Sequence, residues 1–348
     1  MAKRRQSVSI QEEDAFKLVI DELMEEIVWH PTHEDVDVAT WLLKMVDYNV
    51  PRGKQLRGRG VISAYKSFVG NVTKHDLKPV YILGWCVELF AASFYIPEDI
   101  IRGSVTRRGQ LCWHLVDEVG KAAVNDAFLL QSVMYFILDL HFKGKACHKY
   151  LTKLFHKCFF NTTLGQNMDS RIGKAQGFKE FTMENYYRIS KYKVGYFSFY
   201  LPIASSWILQ ADGTPKEEEL KLIEEIALEM GHLFQVQDDY LDCFGNPNVT
   251  GRYGTTIQGN CSSWFIIMAL KKMDCEQERV LKEHYGKPGS ERVHRVIKVF
   301  RDLDLVEEYR QYEIKCYKAI MKKITKLPES IPALYFSETL DLILKREK

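Results

Sequence analysis

The stretch Phe234-Gln-Val-Gln-Asp-Asp-Tyr-Leu-Asp242 closes a long helical pattern and carries three carboxylates. Residues four apart share one face of a helix, so Asp238 and Asp242 point the same way, with Asp239 beside them. Burying three like charges without a partner is costly. Carboxylates with no Cys or His nearby suit a hard cation such as Mg²⁺. The alternative is a solvated acidic helix end, which the apolar residues before the carboxylates, such as Val236, disfavour.

The composition is that of a soluble globular chain with an ample core. Of its 348 residues, 46% are hydrophobic and 27% are charged, and 48 Lys and Arg against 46 Asp and Glu leave a net charge of +2. This balance argues against a nucleic-acid binder or a membrane-surface binder. The eight cysteines are scattered, as in proteins of reducing compartments, and the basic N-terminus lacks the apolar core of a secretory signal. We therefore expect a cytoplasmic protein.

Hydrophobic periodicity predicts a single all-α domain spanning residues 1–348. The clearest helical period covers residues 217–237. No convincing alternation of apolar and polar residues indicates a strand. Further helices are predicted at 11–29, 36–46, 60–69, 80–96, 125–140, 150–159 and 184–209.

The segment 80–96 has nearly the length of a membrane span. It is apolar apart from Glu88 and Ser93. Glu88 at its centre and Pro97 at its end favour the buried helix of a soluble bundle, and we do not expect an integral membrane protein.

A second candidate for carboxylate chemistry is Pro97-Glu98-Asp99-Ile100-Ile101-Arg102. Glu98 and Asp99 could hold metal opposite the Asp238 cluster. Arg102 lies four residues after Glu98 and can pair with it on the same helix. The alternative is an ordinary helix end with such an ion pair.

Basic residues from three separate segments complete the parts of an anion site: Lys54 and Arg57, then Arg107 and Arg108, then Lys193. Arg binds phosphate oxygens in a bidentate manner, whereas Lys acts as a point charge. Together with metal, these groups are suited to gripping a diphosphate. The chain has no Gly-rich phosphate loop, so nucleotide phosphate is not indicated.

The chain resembles the trans-isoprenyl diphosphate synthases from about residue 35 to its C-terminus, and among them the farnesyl diphosphate synthases of animals. The resemblance depends on several motifs in the right order. They are Gly53-Lys54-x-x-Arg57-Gly58, Leu83-Gly-Trp-Cys-Val-Glu-Leu89, Thr106-Arg-Arg-Gly-Gln110, Gly165-Gln-x-x-Asp169, Lys191-Tyr-Lys193, Phe199-Tyr-Leu-Pro202, Phe234 to Asp242 as quoted above, and Val249-Thr-Gly251.

The resemblance implies an isoprenoid-synthase helical bundle around a central cavity, a homodimer, and Mg²⁺ between two aspartate-rich motifs and a prenyl diphosphate substrate. It also implies roles for individual residues. The metal ligands are Asp238, Asp239 and Asp242, with Asp99 and Glu98 from the first motif. The allylic diphosphate is held by Arg107, Lys193, Gln235 and Arg252, and a second anion site by Lys54, Arg57 and Arg108. Asp238, Asp239, Lys193 and Arg107 are the residues expected to carry catalysis.

Departures from the family pattern bear on the reaction. The first motif of the family is Asp-Asp-x-x-Asp, and here its last position is Arg102, a cation in place of a metal ligand. Ala91 replaces a Gln that contacts isopentenyl diphosphate in the family. The Phe pair that sets a C15 product is here Ser93-Phe94, which implies a wider cavity floor.

These departures favour a terpene synthase that ionises farnesyl diphosphate with Mg²⁺ and cyclises or quenches the cation to a sesquiterpene. The retained Lys54, Arg57 and Arg108 favour an alternative, a prenyltransferase that condenses isopentenyl diphosphate with an allylic diphosphate. A second alternative is a non-catalytic partner subunit, which Arg102 favours and the complete second motif disfavours.

Overall fold

The computed structural model describes residues 10–28, 36–70, 77–175, 177–211, 214–246 and 254–346. The predicted all-α class is confirmed. The helices are α1 (Ile10–Val28), α2 (Val36–Asn49), α3 (Leu56–Val69), α4 (Lys78–Arg102), α5 (Ala123–Phe142), α6 (His148–Lys174), α7 (Met183–Ile189), a π-helix (Ser190–Tyr200), α8 (Leu201–Gln210), α9 (Glu217–Phe244), α10 (Trp264–Lys272), α11 (Cys275–His284), α12 (Ser290–Asp302), α13 (Leu305–Ile324) and α14 (Ala333–Leu344). Short 3₁₀ turns occupy Trp113–Leu115 and Gly120–Ala122.

The described residues group into two compact units. Unit 1 draws on Met1–Lys157 and Leu201–Leu220, and unit 2 on Cys158–Tyr200 and Lys221–Lys348. The prediction of one domain over the whole chain stays a prediction.

The core of unit 1 is built around α4, which packs against α3, α5 and α8. The ring of Phe16 stacks on Trp85 with centroids 4.4 Å apart, and the Trp85 indole N–H donates to the carbonyl of Phe16 at 2.7 Å. Gly58 and Gly84 allow α3 and α4 to approach closely, since a Cβ at Gly58 would lie 3.0 Å from the carbonyl oxygen of Gly84. This close packing fixes the N-terminus of α3 against α4.

Unit 2 contains its own apolar cluster, which includes Trp264, Phe265 and Phe300. The π-helix approaches α9 so closely that a Cβ at Gly231 would lie 2.4 Å from the Cα of Gly195. Only glycine fits at such a contact between two backbones. The long carboxylate-bearing helix α9 is therefore held at a fixed distance from the segment that carries Lys193.

The structure differs from the predicted helix boundaries at Pro97. The segment predicted to end at 96 continues through this proline to Arg102 and stops at Gly103, whose φ of +62° is suited to a helix C-terminus. Proline removes one hydrogen bond from a helix interior, but here the tight burial of α4 outweighs that loss.

Two described helical segments, Lys78–Arg102 and Gly120–Phe142, are long and apolar enough to cross a membrane by length and composition alone. The most apolar part of the first segment is 83% buried within the protein, as in the core helix of a soluble bundle. One or two such segments are weak evidence for a membrane span.

Two further differences concern segments without a clear periodicity. The predicted basic loop at 103–109 contains a small hairpin, Thr106–Arg107 paired with Gln110–Leu111. Two-residue strands are too short to show an alternating pattern. The predicted helix at 184–209 consists of α7, the π-helix and α8. A π-helix adds one residue per turn without changing composition, so periodicity does not reveal it.

Candidate active site

The hairpin turn of unit 1 presents the two predicted arginines Arg107 and Arg108. Arg108 and Gly109 occupy the turn with φ of +53° and +78°, the left-handed pair of a two-residue hairpin. This conformation is unusual for arginine. Arg108 is held there because one guanidinium nitrogen donates to the carbonyls of Asn49 and Val50, at 3.0 and 3.1 Å. Against the same side chain lies Gly53, where a Cβ would meet the Arg108 Nε at 2.9 Å.

Glu88 connects this hairpin to the N-terminus of α3. Its side chain is 1% exposed. One carboxylate oxygen accepts hydrogen bonds from the amides of Arg57 and Gly58, at 3.1 and 2.8 Å, and the other lies 3.7 Å from a guanidinium nitrogen of Arg108. Sequence reasoning did not assign Glu88 to the site, although a lone carboxylate in an apolar helix was the available signal. Lys54 is exposed and lies two residues before α3.

The first acidic motif pairs with nearby arginines. Asp99 is buried and binds Arg107 through two hydrogen bonds, 2.6 and 2.7 Å long. Arg102 lies 3.2 Å from Glu98, as the spacing predicted. Burial acts to lower the pKa of Arg107, but the hydrogen bonds to Asp99 and the charges of Glu98 and Asp99 outweigh it and raise that pKa above its ordinary value. A predicted metal ligand and a predicted phosphate ligand are thus partners of each other.

The predicted cavity-floor residues Ser93 and Phe94 lie one helical turn before this motif. Ser93 is buried and donates to the carbonyl of Phe90 at 2.7 Å, while the ring of Phe94 is partly buried with its centroid 5.2 Å from that of Phe90. A small side chain at position 93 is therefore accommodated within the helix, and its effect on product length stays a prediction.

In unit 2, the three carboxylates of α9 have different surroundings. Asp239 is buried and accepts from the Tyr186 hydroxyl at 2.7 Å, the Trp264 amide at 2.8 Å and the Gln235 side chain at 2.9 Å. Burial raises its pKa to about 7, although these donors act in the opposite direction. Asp242 accepts from the amide of residue 256 at 2.7 Å. Through the amide of Trp264, at the start of α10, Asp239 anchors α10 to α9.

Asp238 has the exposure and charge expected of a cation ligand. Its side chain is 24% exposed and pairs with Arg346 of the C-terminal segment at 2.5 Å. The Arg346 guanidinium also lies over the ring of Phe234, 3.9 Å from its centroid. A cation already balances Asp238, and sequence reasoning missed this partner because 108 residues separate the two in the chain.

Two further predicted residues of unit 2 bind carboxylates. Lys193 donates to Asp169 at 2.7 Å, and both side chains are nearly buried. Gln235 donates to Asp239. Arg252 lies outside the described residues. Lys193 thus has an oppositely charged partner within its own unit.

The acidic residues fit a hard cation by their chemistry. Their donors are carboxylate oxygens, which Mg²⁺ prefers, and Asp238 already faces the positive charge of Arg346. Among the described residues, no three His, Cys, Asp or Glu side chains are grouped as a preassembled metal site. Substrate phosphates and water would have to supply much of the coordination shell, as is usual for Mg²⁺.

Comparison with known proteins relates this arrangement to one family. The family described as Polyprenyl synthetase matches residues 39–303. Farnesyl pyrophosphate synthase of Gallus gallus is 36% identical over 338 residues, covering 96% of this chain and 91% of the relative, and that of Schizosaccharomyces pombe is 39% identical over 317 residues, covering 90% and 91%. The structure of T. brucei farnesyl diphosphate synthase complexed with a bisphosphonate matches with a TM-score of 0.89 at 30% identity, covering 97% and 99%.

These relatives correct the function expected from the sequence. The expectation of a terpene synthase that forms a sesquiterpene is wrong, because the relatives are farnesyl pyrophosphate synthases, and they agree better with the prenyltransferase alternative. The departures at Ala91, Ser93 and Arg102 are few against the similarity that covers 90% or more of the chain. The predictions of an enzyme and of an isoprenoid-synthase fold are confirmed. The chain belongs to the polyprenyl synthetase family.

Proposed function

We propose that the chain condenses isopentenyl diphosphate with an allylic diphosphate, as a farnesyl diphosphate synthase does. The observation that carries this proposal is the pair Arg57 and Arg108, which Glu88 organises in unit 1 separately from Arg107, the partner of Asp99. A cyclase acting on one diphosphate needs no second anion site. A condensing enzyme binds two diphosphates, so an organised second cluster is required.

In the proposed reaction, the allylic C–O bond breaks and diphosphate leaves. The terminal alkene carbon of isopentenyl diphosphate forms a C–C bond to the allylic carbon, and loss of one proton restores a double bond. The acidic motif of each unit, Asp99 with Glu98 in unit 1 and Asp238, Asp239 and Asp242 in unit 2, would hold Mg²⁺, which would supply positive charge that neutralises the leaving diphosphate.

The protein's own cations bind and orient the diphosphates. Lys54, Arg57 and Arg108 take isopentenyl diphosphate, and Arg107, Lys193, Gln235 and Arg252 take the allylic diphosphate. Arg107 and Lys193 are held in place by Asp99 and Asp169, so both are ordered before substrate arrives. Such preorganised donors need little rearrangement when charge develops on the leaving group.

The test uses purified protein with Mg²⁺ in two incubations, analysed by gas chromatography–mass spectrometry before and after phosphatase treatment. One contains farnesyl diphosphate alone, and the other contains dimethylallyl and isopentenyl diphosphates. We expect prenyl alcohols from the second incubation after phosphatase only. A volatile C15 product from the first incubation without phosphatase, and no elongation in the second, would overturn the proposal. Arg108→Gln is the comparison variant. It removes one cation assigned to isopentenyl diphosphate, so the amount of elongated product should be strongly reduced.

We also propose a homodimer, as the family resemblance implies. A stripe of side chains four residues apart runs along α5: Val124, Phe128, Ser132, Phe136 and Leu140. Phe128 is 63% exposed and Val124 is 47% exposed. Burying such a stripe against a second copy would remove apolar surface from water. Light scattering after size exclusion should give twice the mass of the chain, and Phe128→Glu should give one mass. A single-chain mass for the wild type would exclude the dimer.

A cytoplasmic location is consistent with the eight cysteines, all of which are free thiols in the structure. Fractionation of cells that express the full-length chain tests this location. Recovery of the protein in a secreted or membrane fraction would contradict it.

A further inference from the structure

The ring of Tyr95 lies beside three guanidinium groups. The guanidinium carbon of Arg107 is 4.6 Å from the ring centroid, and those of Arg57 and Arg108 are each 5.5 Å from it. All three distances fall within the range of a cation–π interaction. Three arginines from two separate segments, the start of α3 and the hairpin turn, thus meet at one side chain of α4.

The position of Tyr95 on α4 explains why the ring can sit there. Ala91 and Ala92, four and three residues earlier, are small and buried, and they leave room for a large ring on this face of the helix. Asp99 lies four residues later on the same face and holds Arg107. Tyr95, Asp99, Arg107 and Arg108 line one pocket in unit 1.

The ring offsets a real electrostatic cost. Burial lowers the pKa of Arg108 below its ordinary value, and the charges of Arg57 and Arg107 lower it further, whereas the charge of Glu88 acts to raise it. A carboxylate would also offset the repulsion, but it would occupy N–H donors that an anion needs. An aromatic ring attracts the cations without accepting conventional hydrogen bonds.

We propose that Tyr95 is a positioning residue whose ring holds the guanidinium groups of Arg57 and Arg108 together for isopentenyl diphosphate and keeps Arg107, assigned to the allylic diphosphate, beside them. The inference deepens the proposed function, since it concerns how that same site holds a diphosphate. Ring character at position 95, rather than the hydroxyl, sets the affinity of the cluster for diphosphate.

The test measures binding of inorganic diphosphate to the full-length chain by calorimetry without Mg²⁺. Tyr95→Leu removes the ring and keeps an apolar side chain, while Tyr95→Phe keeps the ring. We expect Tyr95→Leu to weaken binding by about tenfold, from the loss of up to three cation–π contacts. Tyr95→Phe should stay within about twofold of wild type. Tyr317→Leu, a partly exposed tyrosine of unit 2, is the matched control and should bind like wild type.

Kinetics with isopentenyl diphosphate should show the same separation. Tyr95→Leu is expected to raise KM by about tenfold with kcat little changed, because it weakens binding rather than the chemical step. If Tyr95→Leu fails to fold, fluorinated phenylalanines at position 95 replace it. Each added fluorine makes the electrostatic potential of the ring face less negative at nearly constant shape, so the affinity for diphosphate should fall in steps.

The outcomes separate the inference from the proposed function. Three results would overturn the role of the ring. They are a wild-type affinity for diphosphate in Tyr95→Leu, a loss of affinity in Tyr95→Phe equal to that in Tyr95→Leu, and no trend in affinity along the fluorinated series. Binding of diphosphate that depends on Tyr95, in a protein that makes no elongated product, would support the inference and overturn the condensation reaction instead.

Discussion

Removal of the Glu88 carboxylate tests the organisation of the basic cluster most directly. Glu88→Ala leaves the amides of Arg57 and Gly58 without their acceptor and removes the negative charge beside Arg108. Breaking a buried charge pair by removing one partner typically costs about 3–5 kcal/mol. We expect a loss of that size in the free energy of unfolding. Glu88→Gln keeps an oxygen that can accept both amide hydrogen bonds, so its cost should be about 1–2 kcal/mol, the share due to charge.

Urea unfolding followed by circular dichroism gives both values. Glu118→Gln is the matched control, because Glu118 pairs with Lys44 on an exposed surface and its loss should leave the midpoint unchanged. Glu88→Gln should also raise KM for isopentenyl diphosphate more than it lowers kcat, since Arg108 loses its charged partner. If Glu88→Ala were as stable as the control variant, Glu88 would not anchor this cluster, and the interpretation of the α3 N-terminus would be refuted.

Three further predictions concern unit 2 and the helix packing. Burial lowers the pKa of His232 to about 4. The unfolded state therefore binds more protons than the folded state between about pH 4 and 6.5, so stability falls as pH drops through that window. His232→Gln should reduce this loss by about 2–3 kcal/mol in the free energy of urea unfolding, compared between pH 7.5 and pH 4.5. Gly231→Ala places a Cβ 2.4 Å from a backbone atom of the π-helix and should lower thermal stability sharply, whereas Gly60→Ala, with its nearest neighbour at 3.6 Å, should not; equal stability of the two variants would contradict the close contact. Arg346→Gln removes the cation paired with Asp238, so Mn²⁺ affinity measured by electron paramagnetic resonance without substrate should rise about two- to fivefold, and an unchanged affinity would show that the pair does not compete with metal.

Much of the fold could be predicted from hydrophobic periodicity. The pattern in α9 is unambiguous because its apolar residues repeat over about six turns between residues 217 and 237, and the structure extends that helix only to Phe244. The hairpin and the π-helix were missed for a common reason. Each is defined by hydrogen-bond connectivity over a few residues, and such connectivity leaves little trace in the order of apolar and polar side chains.

The candidate site was predictable in its residue types but not in its pairings. Arg102 with Glu98 is a contact between residues four apart, which helical geometry alone predicts. Arg346 with Asp238 joins residues 108 positions apart, and nothing local indicates it. Glu88 is a lone carboxylate in an apolar helix by sequence, and nothing local indicates that it accepts from the amides of Arg57 and Gly58, about 30 residues earlier.

These pairings also show why Arg102 does not by itself indicate a new reaction. A cation at the last position of the first motif would repel metal if its charge were unbalanced. In the structure the Nε of Arg102 lies 3.2 Å from a carboxylate oxygen of Glu98 on the same helix. Arg107, the next cation along the chain, is bound by Asp99. The positive charge of Arg102 is therefore balanced within one helical turn by Glu98. A single altered ligand is weaker evidence for a new reaction than similarity to farnesyl pyrophosphate synthases over 90% or more of the chain is for membership of their family.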